Sequence, residues 1–154
     1  MTPVRIALAN LRYPHTPEDS VARVERAIAQ AAAERAALVC FPECYVPGYR
    51  GLGHGPPAAD PGFLEHAWTA AGAAAAKAGV AVILGTERVV DGHTLATALV
   101  FDRDGRRLGF QDKVQIDPSE DGTYAPAATC AHARSRNAGS GGGGACPSPR
   151  YPGT

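Results

Sequence analysis

The sequence predicts an α/β layered fold with a mixed sheet, on three observations. Short apolar blocks rich in Val, Ile and Leu alternate with segments of helical period through residues 1–126. A helix-period segment sits between the first two blocks, which is the pattern of a βαβ unit with parallel strands. Late in this stretch a turn signal, Asp102-Arg103-Asp104-Gly105, separates two strand-like runs without an intervening helix, so antiparallel pairing joins the parallel part.

Taken in order, Val4 to Ala9 (VRIALA) is short and apolar and reads as a buried first strand. Pro14 and Pro17 break the chain, and Asp19 or Ser20 can cap a helix running to about Arg35. Val21, Val24, Ala27, Ile28 and Ala31 give that helix one apolar face. Ala37 to Phe41 is a second buried strand, stopped by Pro42. Pro47, Gly48, Gly51, Gly53, Gly55, Pro56 and Pro57 mark a long loop, expected to shape part of a pocket between Tyr45 and Asp60. A second helix is expected from about Gly62 to Lys77, then strands at Val80–Gly85, Thr94–Phe101 and Leu108–Asp112.

Charge and composition remove several function classes. The formal net charge of +0 supplies no pull toward nucleic acid or an anionic membrane, so neither is expected as a partner. The run Arg103, Arg106, Arg107 reads as a solvated hairpin tip. No run is long and apolar enough to span a bilayer, and MTPVRIALANL reads as a first strand rather than a signal peptide, which points to the cytoplasm. Cys40, Cys44, Cys130 and Cys146 then read as free thiols, and without a Cys-x-x-Cys pair or a nearby His a zinc site is not expected. ANLRYPHTPED, after the first strand, has no Gly, which disfavours a nucleotide-binding α/β domain.

The composition changes at residue 127. AATCAHARSRNAGSGGGGACPSPRYPGT, residues 127–154, contains no Val, Ile, Leu, Met, Phe or Trp. Such a segment buries too little apolar surface to offset its ordering entropy, and reads as a low-complexity, disordered tail. Two origins fit it: a Gly/Ser tail by design, or an out-of-frame read of GC-rich DNA, which is favoured because Ala, Arg, Gly, Pro and Ser have GC-rich codons.

Working residues in open α/β sheets gather outside the carboxyl ends of strands. Glu43 follows ALVCFP there, Lys113 closes the fifth strand, and Glu120 lies on the loop directly after it. The start VRIALANL, the block ALVCFPE and the block GFQDKVQIDPSEDGTYAP together resemble the nitrilase, or carbon–nitrogen hydrolase, superfamily over most of residues 4–126. The resemblance implies an α-β-β-α sandwich, of which this chain supplies the N-terminal part as a mixed sheet with helices on one face. It also implies a Cys–Glu–Lys triad acting on a nitrile, amide or N-carbamoyl substrate through a thioester or thioimidate, with no cofactor and no metal. By resemblance Glu43 is the general base, Lys113 stabilises the oxyanion, and Glu120 positions the substrate or Lys113.

The nucleophile is where the sequence departs from the family. Cys146 lies at a fitting distance from Lys113, and Arg150-Tyr151-Pro152 resembles the residues after the nucleophile in some members. The family sets its cysteine at the end of an apolar strand, however, and Gly141 to Gly144 cannot pack as one. Cys40 and Cys44 read as structural. The chain ends near the point where the second half of a sandwich begins, so the exposed inner face is expected to be sticky and the polypeptide insoluble or inactive as written. A full-length form is expected to be a homo-oligomer. The alternative is an inactive half-domain that pairs with a homologue as an interaction module.

Overall fold

Five strands lie side by side in chain order: β1 (Ile6–Leu8), β2 (Leu38–Cys40), β3 (Ala81–Val90), β4 (His93–Phe101) and β5 (Arg107–Asp112). The computed structural model describes residues 3–51 and 60–127. The expected tail beyond Ala127, with Cys130 and Cys146, and much of the loop before Asp60 therefore lie outside the described residues. β1, β2 and β3 run parallel, and β4 and β5 each run antiparallel to their neighbour. The sheet is thus mixed as expected, and the carboxyl ends of β2 and β5 lie at the same end of it.

Helix α1 (Pro17–Ala33) joins β1 to β2, and α2 (Pro61–Ala78) precedes β3. The start of α1 corrects the expected cap at Asp19 or Ser20. Thr16 is the cap, its side chain accepting from the Asp19 N–H at 3.1 Å. Pro17 takes the first helical position, where its missing N–H costs nothing and its fixed φ suits the helix. Glu18 and Asp19 fall in the first turn, where the helix dipole favours negative charge. In α2, Asp60 caps, Pro61 again leads, and Gly79 closes the helix in the left-handed conformation at φ 66°.

Both helices pack on one face of the sheet, in a single core. Val24, Ile28 and Ala31 of α1 and Leu64, Ala67, Trp68, Ala71 and Ala75 of α2 are buried there with Val39, Val82, Leu84, Leu99 and Phe101. The Trp68 indole N–H reaches the Thr86 hydroxyl at 3.0 Å, which satisfies the one polar atom the ring brings into the core. Arg107 lies 5.5 Å over the Trp68 ring and pairs with Glu65, tying β5 to α2.

Three strands differ in extent from the expectation. β3 runs on past Gly85 to Val90 and joins β4 through Asp91 and Gly92 at φ 49° and 79°. Two successive left-handed residues are the signature of a type I′ hairpin turn, which Asp-Gly favours. β1 and β2 are three residues each, shorter than the apolar blocks that announced them.

The register separates the two faces of the sheet. Ala7, Val39, Val82 and Phe101 form one row, on the helix side. Leu8, Cys40, Ile83 and Val100 form the adjacent row, on the other side. No described element covers that row at β1, where Ile6 is 55% and Leu8 79% exposed. Burying each such side chain is worth about 1.5–3 kcal/mol, a gain these described residues leave untaken. Farther along, the chain after β2 crosses this face at Pro42 and Glu43, over Gly85, and returns beside β3 in a parallel bridge of Val46 with Thr86. The Val46 N–H donates to the Gly85 carbonyl at 3.2 Å and the Glu87 N–H to the Val46 carbonyl at 3.1 Å.

Replacing Ile6 and Leu8 together with Lys should raise the soluble fraction of the expressed chain without lowering its Tm; an unchanged soluble fraction counts against an exposed sticky face. Gly85→Ala would set a methyl 1.8 Å from the Pro42 carbonyl oxygen. Backbone must then move, and the expected loss in urea denaturation is about 2 kcal/mol, the scale of overpacking. A Gly85→Ala chain as stable as its parent contradicts the close approach.

Candidate active site

Glu43 owes its position to a sharp exit from β2. The Tyr45 N–H donates to the Pro42 carbonyl at 3.3 Å, and Cys44 sits at φ 45°, a left-handed conformation that costs a non-glycine residue roughly 1 kcal/mol. The turn buries the Cys44 side chain and leaves the Glu43 carboxylate half exposed at the rim. The Gly85 contact fixes how closely this turn lies on β3.

Lys113 extends the ladder one residue beyond β5, its N–H donating to the Ala96 carbonyl at 2.9 Å. Its Nζ lies 3.0 Å from Glu43 Oε1 and 2.7 Å from Glu120 Oε2. The structure therefore brings Glu43, Lys113 and Glu120 together, one cation between two carboxylates from separate loops. Cys146 lies outside the described residues.

Glu120 ends a 3₁₀ turn, Pro118–Glu120, closed by a reciprocal cap. The Asp117 side chain accepts from the Ser119 N–H at 2.9 Å, and Glu120 Oε2 accepts from the Asp117 N–H at 3.0 Å. Its other oxygen accepts from the Tyr49 hydroxyl at 2.9 Å. Burial pushes the Glu120 carboxyl up, but Lys113, the Asp117 N–H and Tyr49 together outweigh it and hold the group below the ordinary glutamate range. Burial likewise pushes Lys113 down, and its contacts with Glu120 and Glu43 outweigh that and raise it above the ordinary lysine value.

Behind these three lies a buried set that the sequence did not disclose. Glu87, fully buried on β3, accepts from Arg50 Nε at 2.7 Å, from Arg50 Nη2 at 2.9 Å and from the Tyr124 hydroxyl at 2.8 Å. The Tyr124 hydroxyl accepts in turn from the Arg50 N–H at 3.2 Å, and the Tyr49 and Tyr124 rings stack at 6.2 Å. A charged residue inside GTERVV was the available signal: a carboxylate in an apolar strand needs a partner.

The described cysteines are poorly suited to attack. Cys44 is fully buried, its Sγ lies 3.6 Å from the Thr86 carbonyl, and burial pushes its thiol up to about 12. Burial also raises Cys40. The nucleophile is the thiolate, so neither is poised for reaction near neutral pH. A cavity of about 230 Å³ opens beside Glu43 and Lys113, floored by Gly85, Ala96 and Ala98. A larger groove of about 580 Å³ between α1 and α2 is lined by alanines with Glu25, Arg26 and Lys77, away from these carboxylates. Among the described residues no group of three or more His, Cys, Asp or Glu is placed to hold a metal ion, and no helix is long and apolar enough to cross a membrane.

The fold has counterparts among solved structures. One is the amidase from Nesterenkonia sp. AN1, seen as a glutamate-to-glutamine mutant with acrylamide added at its active-site cysteine. It is 23% identical with a TM-score of 0.70, over 81% of this chain and 50% of that one. A structure of an amidase from Nesterenkonia sp. is 24% identical, TM-score 0.70, over 80% of this chain and 48% of that one. A carbon–nitrogen hydrolase from Helicobacter pylori G27 is 18% identical, TM-score 0.69, over 80% of this chain and 44% of that one. At these identities the likeness establishes a shared fold, and the chain spans about half the length of these relatives. No curated protein matches it significantly in sequence. The Carbon-nitrogen hydrolase family matches residues 5–135, most of the chain, and on that match this protein belongs to the carbon–nitrogen hydrolase family.

Proposed function

We propose that this chain carries the N-terminal part of a hydrolase of non-peptide carbon–nitrogen bonds, with a Cys–Glu–Lys triad acting on a nitrile, amide or N-carbamoyl substrate. The observation that carries the reading is Lys113 Nζ held 3.0 Å from Glu43 and 2.7 Å from Glu120. In this reading residues 1–126 are the N-terminal part of the hydrolase domain and residues 127–154 a low-complexity tail, in which Cys146 is the nucleophile candidate by its spacing from Lys113 but has no apolar strand before it to hold the thiol. The protein is assigned to the cytoplasm, and a full-length form to a homo-oligomer.

On an amide, Glu43 takes the thiol proton and the thiolate bonds to the carbonyl carbon. The oxygen gains negative charge, which the Lys113 ammonium stabilises. The C–N bond breaks, Glu43 returns the proton to the leaving nitrogen, and a thioester remains. Glu43 then takes a proton from water, whose oxygen displaces the thiol and releases the acid. A nitrile enters the same path as a thioimidate. Glu120, fully buried and held by three hydrogen bonds, keeps Lys113 charged and aimed.

The sheet face at Ile6 and Leu8, left uncovered by the described residues, favours a second reading, a catalytically inactive half-domain that pairs through that face as an interaction module. Acrylamide separates the two. The hydrolase reading expects a covalent adduct at Cys146 by peptide mass spectrometry, formed about 10²-fold more slowly in Glu43→Gln, with Cys44 unmodified. Acetamide hydrolysis should fall by about 10²-fold or more in Lys113→Met. An unmodified Cys146 and no released ammonia, in a chain that forms discrete oligomers, would leave the module reading.

The pKa directions also fix a pH window. Glu120 titrates lower in the folded chain than in the unfolded one. Its contribution is therefore present above the unfolded value of about 4.3 and is lost as pH falls through the lower folded value. Lys113 titrates higher when folded. Its contribution is fully present below about 10.4 and is lost as pH rises through the higher folded value. The stability gap between the parent and Glu120→Gln should then stay level from about pH 6 to 9 and narrow below about pH 4. A gap that widens on acidification contradicts the ion pair.

A further inference from the structure

We propose that Glu87 is a positioning residue: its buried carboxylate fastens the loop that follows Glu43 to the turn that follows Glu120, and so sets the Glu43–Lys113–Glu120 geometry without touching substrate. The inference rests on the reading of those three groups as the working cluster.

Neither Glu43 nor Glu120 stands on a strand or a long helix. Each lies on an irregular segment, and such segments take their shape from whatever anchors them. Glu87 supplies an anchor common to both. One of its oxygens accepts from Arg50, seven residues after Glu43, and from Tyr124, four residues after Glu120. Its other oxygen completes a two-point grip on the Arg50 guanidinium, which fixes direction as well as distance. Arg50 also donates its backbone N–H to the Tyr124 hydroxyl, so the three groups close a ring.

The path from this ring to the ammonium is short. Tyr49, next to Arg50, stacks on Tyr124 and donates to Glu120 Oε1 at 2.9 Å, and Glu120 Oε2 holds Lys113 at 2.7 Å. The sheet register favours it too. Glu87 is paired with Ala96 on β4, and Lys113 donates its N–H to that same Ala96, so Glu87 and Lys113 stand in one row on either side of β4. A charged group with no exposed surface is costly unless its partners are held in place. A slack ring would leave Glu87 uncompensated, so the ring is tight, and that tightness passes to the loops it joins.

The chain has two lysines, Lys77 and Lys113, so the ammonium signals of ¹⁵N-lysine protein report Lys113 with Lys77 as reference. Glu87→Gln removes the charge that grips Arg50; Glu87→Asp keeps the charge but is one methylene too short to reach both Arg50 and Tyr124. In both, Lys113 ammonium protons should exchange with water about tenfold faster than in the parent, while Lys77 is unmoved. A brace that serves global stability alone lowers Tm and leaves Lys113 exchange in the folded protein at the parental rate, and that result overturns the proposal. Should the Glu87 variants not fold, Tyr124→Phe keeps the Glu87–Arg50 pair and cuts the bond to the turn after Glu120. Faster Lys113 exchange supports the proposal there, and unchanged exchange overturns it. The measurement is made on resting protein without substrate, so its failure leaves the hydrolase reading standing, and absent hydrolysis does not touch it.

Discussion

One ammonium group between two carboxylates is the constraint on which the rest of this structure converges. Lys113 stands where β5 ends, Glu43 where β2 ends, and Glu120 on the turn that follows Lys113. Three groups from three segments meet because β2 and β5 end at the same edge of the sheet. The two carboxylates are not equivalent. Glu120 is fully buried and saturated with donors, whereas Glu43 is half exposed beside a cavity. A buried, fully bonded carboxylate suits electrostatic support, and an accessible one suits proton transfer.

The fold serves this edge more than it serves itself. On one face two capped helices and a Trp-anchored core give the sheet a rigid backing. On the other, the chain after β2 lies against β3 so closely that only glycine fits at position 85. That contact exchanges side-chain packing for precise placement of the turn at Glu43. The apolar row at β1, which no described element covers, shows the same face without such a contact. A chain that spans about half of its solved relatives thus holds the acid and basic groups of one rim together from its own residues.

Much of this is legible in the sequence, for physical reasons that differ by element. α1 and α2 announce themselves through apolar spacing and alanine content, and the parallel β1–β2 unit through two apolar blocks flanking a helix. The cap of α1 is misplaced from sequence because Asp19 and Ser20 are good capping residues, and only the chain direction imposed by Pro17 makes Thr16 the better one. The expected β3 stops five residues early because Gly85 looks like a strand terminator. Its true role is close backbone approach, which periodicity does not reveal. That early stop hides Glu87, and with it the ring through Arg50 and Tyr124. Glu43, Lys113 and Glu120 stand out through their resemblance to family blocks, but that Lys113 touches both carboxylates is a fact of three dimensions.

The coupling between Lys113 and Glu120 is the most direct measure of whether this edge is one unit. A double-mutant cycle in urea denaturation, with Lys113→Met, Glu120→Gln and the pair, isolates it. Lys113→Met strands the buried Glu120 and should cost about 3 kcal/mol, Glu120→Gln leaves the partly exposed ammonium with Glu43 and should cost about 2 kcal/mol, and the double change should cost little more than Lys113→Met alone, leaving a coupling of nearly 2 kcal/mol. Costs that simply add, with a coupling near zero, would mean that the ammonium and the buried carboxylate do not meet in solution, and the account built on their contact would fail.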